Sequence, residues 1–400
     1  MQPDAPRDSR PPSIARPLAY WAGFSVLGLG MALLGPALPS LAKITGSTLG
    51  QASILFLARS FGDLVASAFG GRLFDIFPGH RLLGLSLLLL AVGTAFTPLI
   101  PLLWLLALLF VLLGVLESMV MVGVNALILW LYQSRAAPYL NTLHFSFGVG
   151  ALVGPVLFAF FLGRGQGIGP PYWLAAGLIA AMGCLLTALP ASPGLNAGGP
   201  TGTPRPVFSR LMALFILFFF LYVGAEVGFS SWVFTYATAQ GLLPEATAAL
   251  LTSAFWASLT AGRLLALPLS LHLRPGGILA GGLLGGLLSL VVILAWPWST
   301  AALWLGSIGF GLCLAPVYPA AFLLAQRRIK ITGQVAGWFN AGGSVGVMVL
   351  PWLIGQLIAP FGPISVIVAV TIDLVLTILL FLLVLNRPAI PGHFSRPIAF

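Results

Sequence analysis

Charge is what this chain of 400 residues lacks: Lys, Arg, Asp and Glu make up 6% of it, and 59% is hydrophobic. A soluble domain carries about 25% charged residues. So sparse a set of ions cannot wet a globular surface, which excludes an ordinary soluble enzyme or nucleic-acid binder. Cysteine is equally scarce. Cys184 and Cys313 each fall inside an apolar run, where a thiol acts as a small packing group. Two isolated cysteines supply neither a disulfide framework nor a metal-ligand spacing, so no metal and no cofactor are expected.

What is abundant is long apolar sequence. A bilayer core about 30 Å thick needs about 20 apolar helical residues to cross it. Runs of that length recur at 17–42, 50–74, 81–99, 101–131, 139–163, 172–190, 211–239, 245–271, 276–297, 300–325, 333–359 and 363–386, separated by short charged or Gly/Pro-rich breaks. Continuous runs rather than dyad alternation predict membrane helices and not a β-barrel, since every backbone polar group must be satisfied inside the lipid. The first run is too long for a cleaved signal peptide and no cleavage site follows it, so it is expected as the first span.

The net charge of +10 is distributed as a membrane protein would distribute it. With the N-terminus inside, the outer loops keep only Lys43 and Arg164, and Arg59 lies within a span. The remaining basic residues, from Arg7 to Arg396 and including Arg263, fall in inside regions. This bias predicts both termini in the cytoplasm, in a cytoplasmic (inner) membrane, and it replaces any nucleic-acid reading of the charge.

The stretch "ASPGLNAGGPTGTPRP" (Ala191–Pro206) is polar and rich in Gly and Pro, a flexible linker between two apolar halves. The halves echo each other. Gly71-Arg72-Leu73 answers to Gly262-Arg263-Leu264, and Arg135 to Lys330; His144, Gly150 and Pro155 answer at one constant offset to Asn340, Gly346 and Pro351. A parallel duplication of six helices leaves such echoes. The expected organisation is a tail over 1–16, a six-helix bundle over 17–190, a linker over 191–210, a second bundle over 211–386 and a tail over 387–400, all three non-membrane segments cytoplasmic.

Between the second and third spans lies "GRLFDIFPGHR" (Gly71–Arg81). It resembles the cytoplasmic loop of the major facilitator superfamily, with Gly71, Asp75, Gly79 and Arg81 in pattern and His80 where a base is usual. It departs at Ile76, commonly basic, and at Pro78, which displaces the second glycine. The resemblance implies an all-α membrane protein of twelve helices in two pseudo-symmetric bundles, and gating contacts at the cytoplasmic face by Arg72, Asp75 and Arg81.

Four of the eight acids lie within spans: Asp63, Glu117, Glu226 and Asp373. An ionised carboxylate at mid-bilayer costs several kcal/mol (about 2.5–3.5 on insertion scales) unless paired or hydrated, so each calls for a partner or a task. Arg59 is one helical turn before Asp63 and is expected to neutralise it. Asp373 is expected to pack against a polar neighbour in the peripheral last span. Glu117 and Glu226 have no base one turn away. They are the candidate coupling residues, able to carry a proton from face to face or to hold Na⁺ with backbone carbonyls.

Polar and aromatic residues accompany them: Asn125, Asn141, His144, Trp232, Tyr236, Trp256, Tyr318 and Asn340, with Tyr222 and Trp338 nearby in sequence. Amides and carboxylates bind hydroxyls, and aromatic faces stack on C–H surfaces, so the set suits a sugar or another polyol. Trp338 by itself reads as an interfacial belt residue rather than part of that set.

Four stretches carry a more specific resemblance: "GVLESMVMVGVNALILW" (Gly114–Trp130), "PYLNTLHFSFGVGALVGP" (Pro138–Pro155), "GAEVGFSSWVFTY" (Gly224–Tyr236) and "SAFWASLTAGRLLALPLS" (Ser253–Ser270). They resemble the branch of fucose–proton symporters and sodium-dependent glucose transporters, nearer the latter. The resemblance implies proton coupling or sugar binding at Glu117, with Asn125 as the matching amide. The symporter's acid in the first span has no counterpart in "GLGMALLGPALPSL", and Glu226 matches the glucose-transporter-like motif instead. Either H⁺ or Na⁺ is therefore left as the coupling ion.

Competing readings are weaker. "GGSVG" (Gly342–Gly346) formally matches a serine-hydrolase elbow, but that needs a strand–turn–helix context and lies here inside a span. No enzyme is expected. "GALVGP" (Gly150–Pro155) begins a drug–proton antiporter signature that breaks off at Phe158-Ala159, so an exporter of amphipathic compounds is the alternative, and a non-transporting sensor a distant one. The expected partners are a sugar-like small molecule, a coupling ion and the lipid bilayer, with no nucleic acid, and the chain is expected to work as a monomer.

Overall fold

The computed structural model describes residues 15–190, 209–329, 331 and 333–386, without the side chains of 15, 68–72, 75, 134, 267, 270, 271 and 333. The expected linker between halves and both tails lie outside the described residues, apart from the ends that adjoin the helices. Among the described residues the chain is helical and has no strand: α1 (Ala15–Ala32), α2 (Leu34–Ile44), α3 (Leu49–Ala52), α4 (Ile54–Ile76), α5 (Gly79–Phe96), α6 (Leu103–Tyr132), α7 (Ala136–Leu162) and α8 (Gly169–Ala188), then α9 (Arg210–Ala239), α10 (Glu245–His272), α11 (Pro275–Ala295), α12 (Thr300–Leu314), α13 (Val317–Gln326), α14 (Gly333–Phe361) and α15 (Ser365–Leu385).

Every expected apolar run is occupied by helix, but three are broken. The first bends by 45° between α1 and α2. Pro36 has no N–H to give to the Ala32 carbonyl and its ring crowds that oxygen, so the helix cannot run through. Pro316 does the same between α12 and α13. In the second, Thr48 caps α3 in a reciprocal box, accepting from the Gln51 N–H while the Gln51 side chain accepts from its own, before Ser53 leads into α4. Ten described helices are long and apolar enough to span, and the bent first pair makes eleven. The remaining one of the expected twelve, α4, has 23 residues and carries Arg59 and Asp63 in its middle.

The duplication is visible in the packing. Helix α1 packs on α7 as α9 does on α14; α4 on α6 as α10 on α12; α5 on α8 as α11 on α15. The repeat-related glycines do the same work in each half. A Cβ on Gly150 would strike the Ser25 carbonyl of α1, and one on Gly346 would strike the Phe220 carbonyl of α9. Positive φ recurs in corresponding turns as well, at Gly46 (63°) and Gly241 (68°), and at Gly165 (70°) and Gly362 (74°). Left-handed backbone is open to glycine without a Cβ clash, so these turns are bound to it.

The halves meet through α2 against α9, α3 and α4 against α14, and α7 against α10. The contacts gather toward one end. There Gln356 donates to the Gly50 carbonyl (2.7 Å) and to Ser53 (3.1 Å), and Ser53 lies 3.3 Å from the Trp352 carbonyl. Gly35 lies against the backbone of Ser230 and Ser231, and Phe158 meets Phe234 edge to face. Toward the other end His144, Asn141 and Asn340 are exposed on the same pair of interface helices, α7 and α14. Among the described residues, the bundles are therefore closed at the α3 end and parted at the opposite end.

Candidate functional site

Among the described residues two ion pairs lie inside the bundles, and neither is the one that helical spacing predicts. Arg59 of α4 is bidentate on Glu117 of α6, with Nε 2.7 Å from Oε2 and Nη2 2.6 Å from Oε1. Its Nη1 donates to the Met31 carbonyl at 3.1 Å, one of the last carbonyls of α1, which lack helical partners beyond the break. The close approach of α4 and α6 makes this possible: a Cβ on Gly114, nearly one turn before Glu117, would collide with the Arg59 carbonyl. The expected pairing of Arg59 with Asp63 is thus corrected. A guanidinium fork matches a carboxylate across the helix interface better than it can curl back along its own helix.

Glu226 of α9 is the second. Arg263 of α10 reaches its Oε1 at 3.5 Å, the Arg side chain 34% and the Glu side chain 9% exposed. Tyr222, one turn earlier, donates its proton to Oε2 at 2.6 Å and has the Leu314 carbonyl at 3.0 Å, at the end of α12 that Pro316 creates. Arg263, expected in an inside region by charge counting, instead turns its guanidinium toward mid-bundle. Both glutamates therefore have a base on another helix, where reading each helix alone left them unpaired.

The remaining candidates divide. Tyr318 donates to Asn340 Oδ1 at 2.7 Å and lies in the field of Glu226 and Arg263. His144, across the interface on α7, is within electrostatic reach of Arg263 and meets Phe24 edge-on at 5.9 Å. These residues form one polar group at the parted end: Glu226, Arg263, Tyr222, Tyr318 and Asn340 from one half, His144 from the other. Trp232 and Tyr236 are fully buried, and Trp232 spends its ring N–H on the Pro351 carbonyl (2.8 Å) while packing on Phe56. Neither joins Glu226. Asn125 donates to the Met121 carbonyl in its own helix at 2.8 Å, and Trp256 is half-buried beside Phe255.

Of the gate residues, Arg81 is exposed, while the side chains of Arg72 and Asp75 lie outside the described residues. His80 is completely buried, its ring between the Tyr20 hydroxyl (2.6 Å) and the Pro190 carbonyl (2.6 Å), so it ties α5 to α1 and to the end of α8 rather than facing the cleft. Ser344, from the hydrolase-like "GGSVG", is part of helix α14 and lies 3.3 Å from Asp63 Oδ2 of the other half. Asp373 is buried on α15, its Oδ2 without a hydrogen-bond partner among the described residues, in place of the polar neighbour expected. No group of three or more His, Cys, Asp or Glu fit to hold a metal occurs among the described residues.

Two like-built helical bundles, sealed at one end and parted over a polar group at the other, define a multi-pass membrane transporter of the alternating-access class. The profile of the Major Facilitator Superfamily matches residues 20–349, and the chain belongs to that superfamily. It is 30% identical over 373 residues to human "Sodium-dependent glucose transporter 1", covering 84% of this chain and 72% of the relative. It is 28% identical over 377 residues to mouse "Sodium-dependent glucose transporter 1A", covering 84% and 88%. The fold is shared with a bacterial homologue of the human lysosomal transporter Spinster, solved in an inward-facing and occupied conformation, at a TM-score of 0.75 and 14% identity over 94% of this chain and 98% of that one.

Proposed function

We propose that the chain is a sugar symporter, moving a small polyhydroxylated solute across the cytoplasmic membrane by alternating access. The observation that carries this reading is the polar group at the parted end, in which Glu226–Arg263 and Tyr318–Asn340 stand opposite His144. Carboxylate, guanidinium, amide and phenol together offer both donors and acceptors to vicinal hydroxyls. The half-buried ring of Tyr318 gives the C–H face of a pyranose a surface to stack on. Glu226 contacts the solute, and Glu117, held by Arg59, keeps α4 and α6 together beside the pathway.

Na⁺ is the first coupling ion proposed, as the relatives' names carry it, with H⁺ as the second. By the positive-inside bias the parted end faces the cytoplasm, so both termini lie there and the sealed α3 end faces outward. One chain holds the whole pathway and works as a monomer. Carriage, not chemistry on the solute, is its activity.

The test is uptake of labelled hexoses and fucose into proteoliposomes under an inward Na⁺ or H⁺ gradient. Accumulation above equilibrium with one ion supports the reading and names that ion. Absence of uptake and of solute counterflow under both gradients overturns it.

A further inference from the structure

Four carboxylates, Asp63, Glu117, Glu226 and Asp373, lie away from the ends of the spanning helices, and the structure treats them unequally. Glu117 is met on both oxygens by Arg59, and Glu226 is met by Arg263 and Tyr222. Asp373 sits on α15, which packs on α9, α11 and α14, all within its own half. Asp63 remains. It lies one turn from Arg59 and in its field, yet the three hydrogen bonds of that guanidinium go to Glu117 and Met31. Its Oδ2 has instead the Ser344 hydroxyl at 3.3 Å, from α14 of the opposite half.

We infer that Asp63, rather than either glutamate, is the carboxylate whose charge links the ion gradient to the meeting of the two halves, with Ser344 as its contact across the interface. This rests on the symport reading above. A glutamate already matched by a guanidinium gains little from a cation, since the pair is neutral without one. Asp63 shares Arg59 with Glu117, so the group of Arg59, Glu117 and Asp63 carries one net negative charge when both acids are ionised. The other polar groups shown facing Asp63 among the described residues are Ser118 of α6, whose hydroxyl is bonded to its backbone carbonyl at 3.1 Å and also lies within reach of its carboxylate, and Ser344, the one that comes from the opposite half.

That excess charge sits where α4 and α14 meet. As the parted end closes, water leaves the interface and an uncompensated carboxylate there becomes costly. A cation or proton on Asp63 removes the excess, so ion occupancy favours closure, and a ligand shifts an equilibrium only through such differential affinity. Serine suits the contact, because its hydroxyl can donate to a charged carboxylate or accept from a protonated one. The glycine-flanked Ser344, meaningless as a hydrolase elbow, then has a place in the cycle.

The test reads closure directly and needs no sugar. In protein with Cys184 and Cys313 replaced by Ala, Asn340→Cys places a thiol in the parted cleft. Its alkylation rate by a membrane-impermeant maleimide is followed on addition of Na⁺ at fixed pH, and separately on acidification without Na⁺. The expected result is slower alkylation with one of the two ions, which identifies it, and loss of that response in Asp63→Asn. Asp63→Glu restores it, and Ser344→Ala shifts the ion concentration for half the effect by about 2- to 10-fold, the range of one hydrogen bond. An ion response that persists in Asp63→Asn overturns the inference, as does its absence from the parent protein. Sugar counterflow on protein that keeps Asn340 judges the symport reading separately.

Discussion

Arg59 and Glu117 meet across α4 and α6 in a two-point contact of 2.7 and 2.6 Å, with the arginine's third bond closing on the broken end of α1 at Met31. One guanidinium thus holds three helices of the first bundle together. Among the described residues the second bundle has no such bond: its ion pair joins Arg263 of α10 to Glu226 of α9 at 3.5 Å, across a different pair of helices. Helix packing was duplicated; this ion pair was not.

The pair predicts a sharp asymmetry between single and combined substitutions. Glu117→Gln takes the two-point partner from a guanidinium only 12% exposed and leaves it the carboxylate of Asp63 one turn away, so the loss is expected to stay below the about 3–5 kcal/mol of a buried charge left wholly unpaired. Arg59→Met strands both Glu117 and Asp63 and is expected to cost more, while removing all three charges, as Arg59→Met with Glu117→Leu and Asp63→Asn, is expected to restore most of the thermal stability measured in detergent. A triple variant no more stable than Arg59→Met would remove the ion pair from the account of bundle stability.

Glu226 should behave differently, because Arg263 is a third exposed and keeps part of its hydration. Glu226→Gln retains an acceptor for Tyr222, so its melting temperature is expected to stay near that of the unaltered protein, with under about 1 kcal/mol lost. Solute binding should fall much further. Thermal unfolding and solute titration on one preparation separate the two effects.

The Tyr318–Asn340 bond offers a milder probe of the same cleft. Tyr318→Phe removes a donor while keeping the ring, and is expected to raise the half-saturating solute concentration by about 2- to 10-fold, one hydrogen bond's worth, at unchanged stability. An unchanged affinity would place the solute elsewhere.

The sealed end depends on Gly355, where a Cβ would collide with the Ser53 side chain. Gly355→Val is expected to hold that end ajar and shift the population toward the oppositely opened form. Labelling of a cysteine placed at Gly50 from the α3 side should then speed up. Unaltered labelling would show that the seal has room for a side chain.

How much of this was legible in the sequence varies with the kind of interaction. Helices over every expected apolar run follow from the demand that backbone groups be satisfied within lipid, which sequence length and hydropathy express directly. The breaks at Pro36 and Pro316 were equally available, since a missing N–H is a local property. The partners of Glu117 and Glu226 were not. Neighbours at one helical turn are visible along a chain, but α4 meets α6 only through glycine-lined packing, and Arg263 reads as a loop-end charge until α9 lies beside α10. Trp232 and Tyr236, grouped with Glu226 because they share its segment, point into the helix packing instead.

The sequence by itself thus determined the membrane, the helices, the duplication and the superfamily, because each is written in runs, periods and local residue types. Only the tertiary structure decided which acid is neutralised by which base and which one is left over at the interface. A buried charge takes its partner from whatever helix packs closest, and that choice is made in three dimensions.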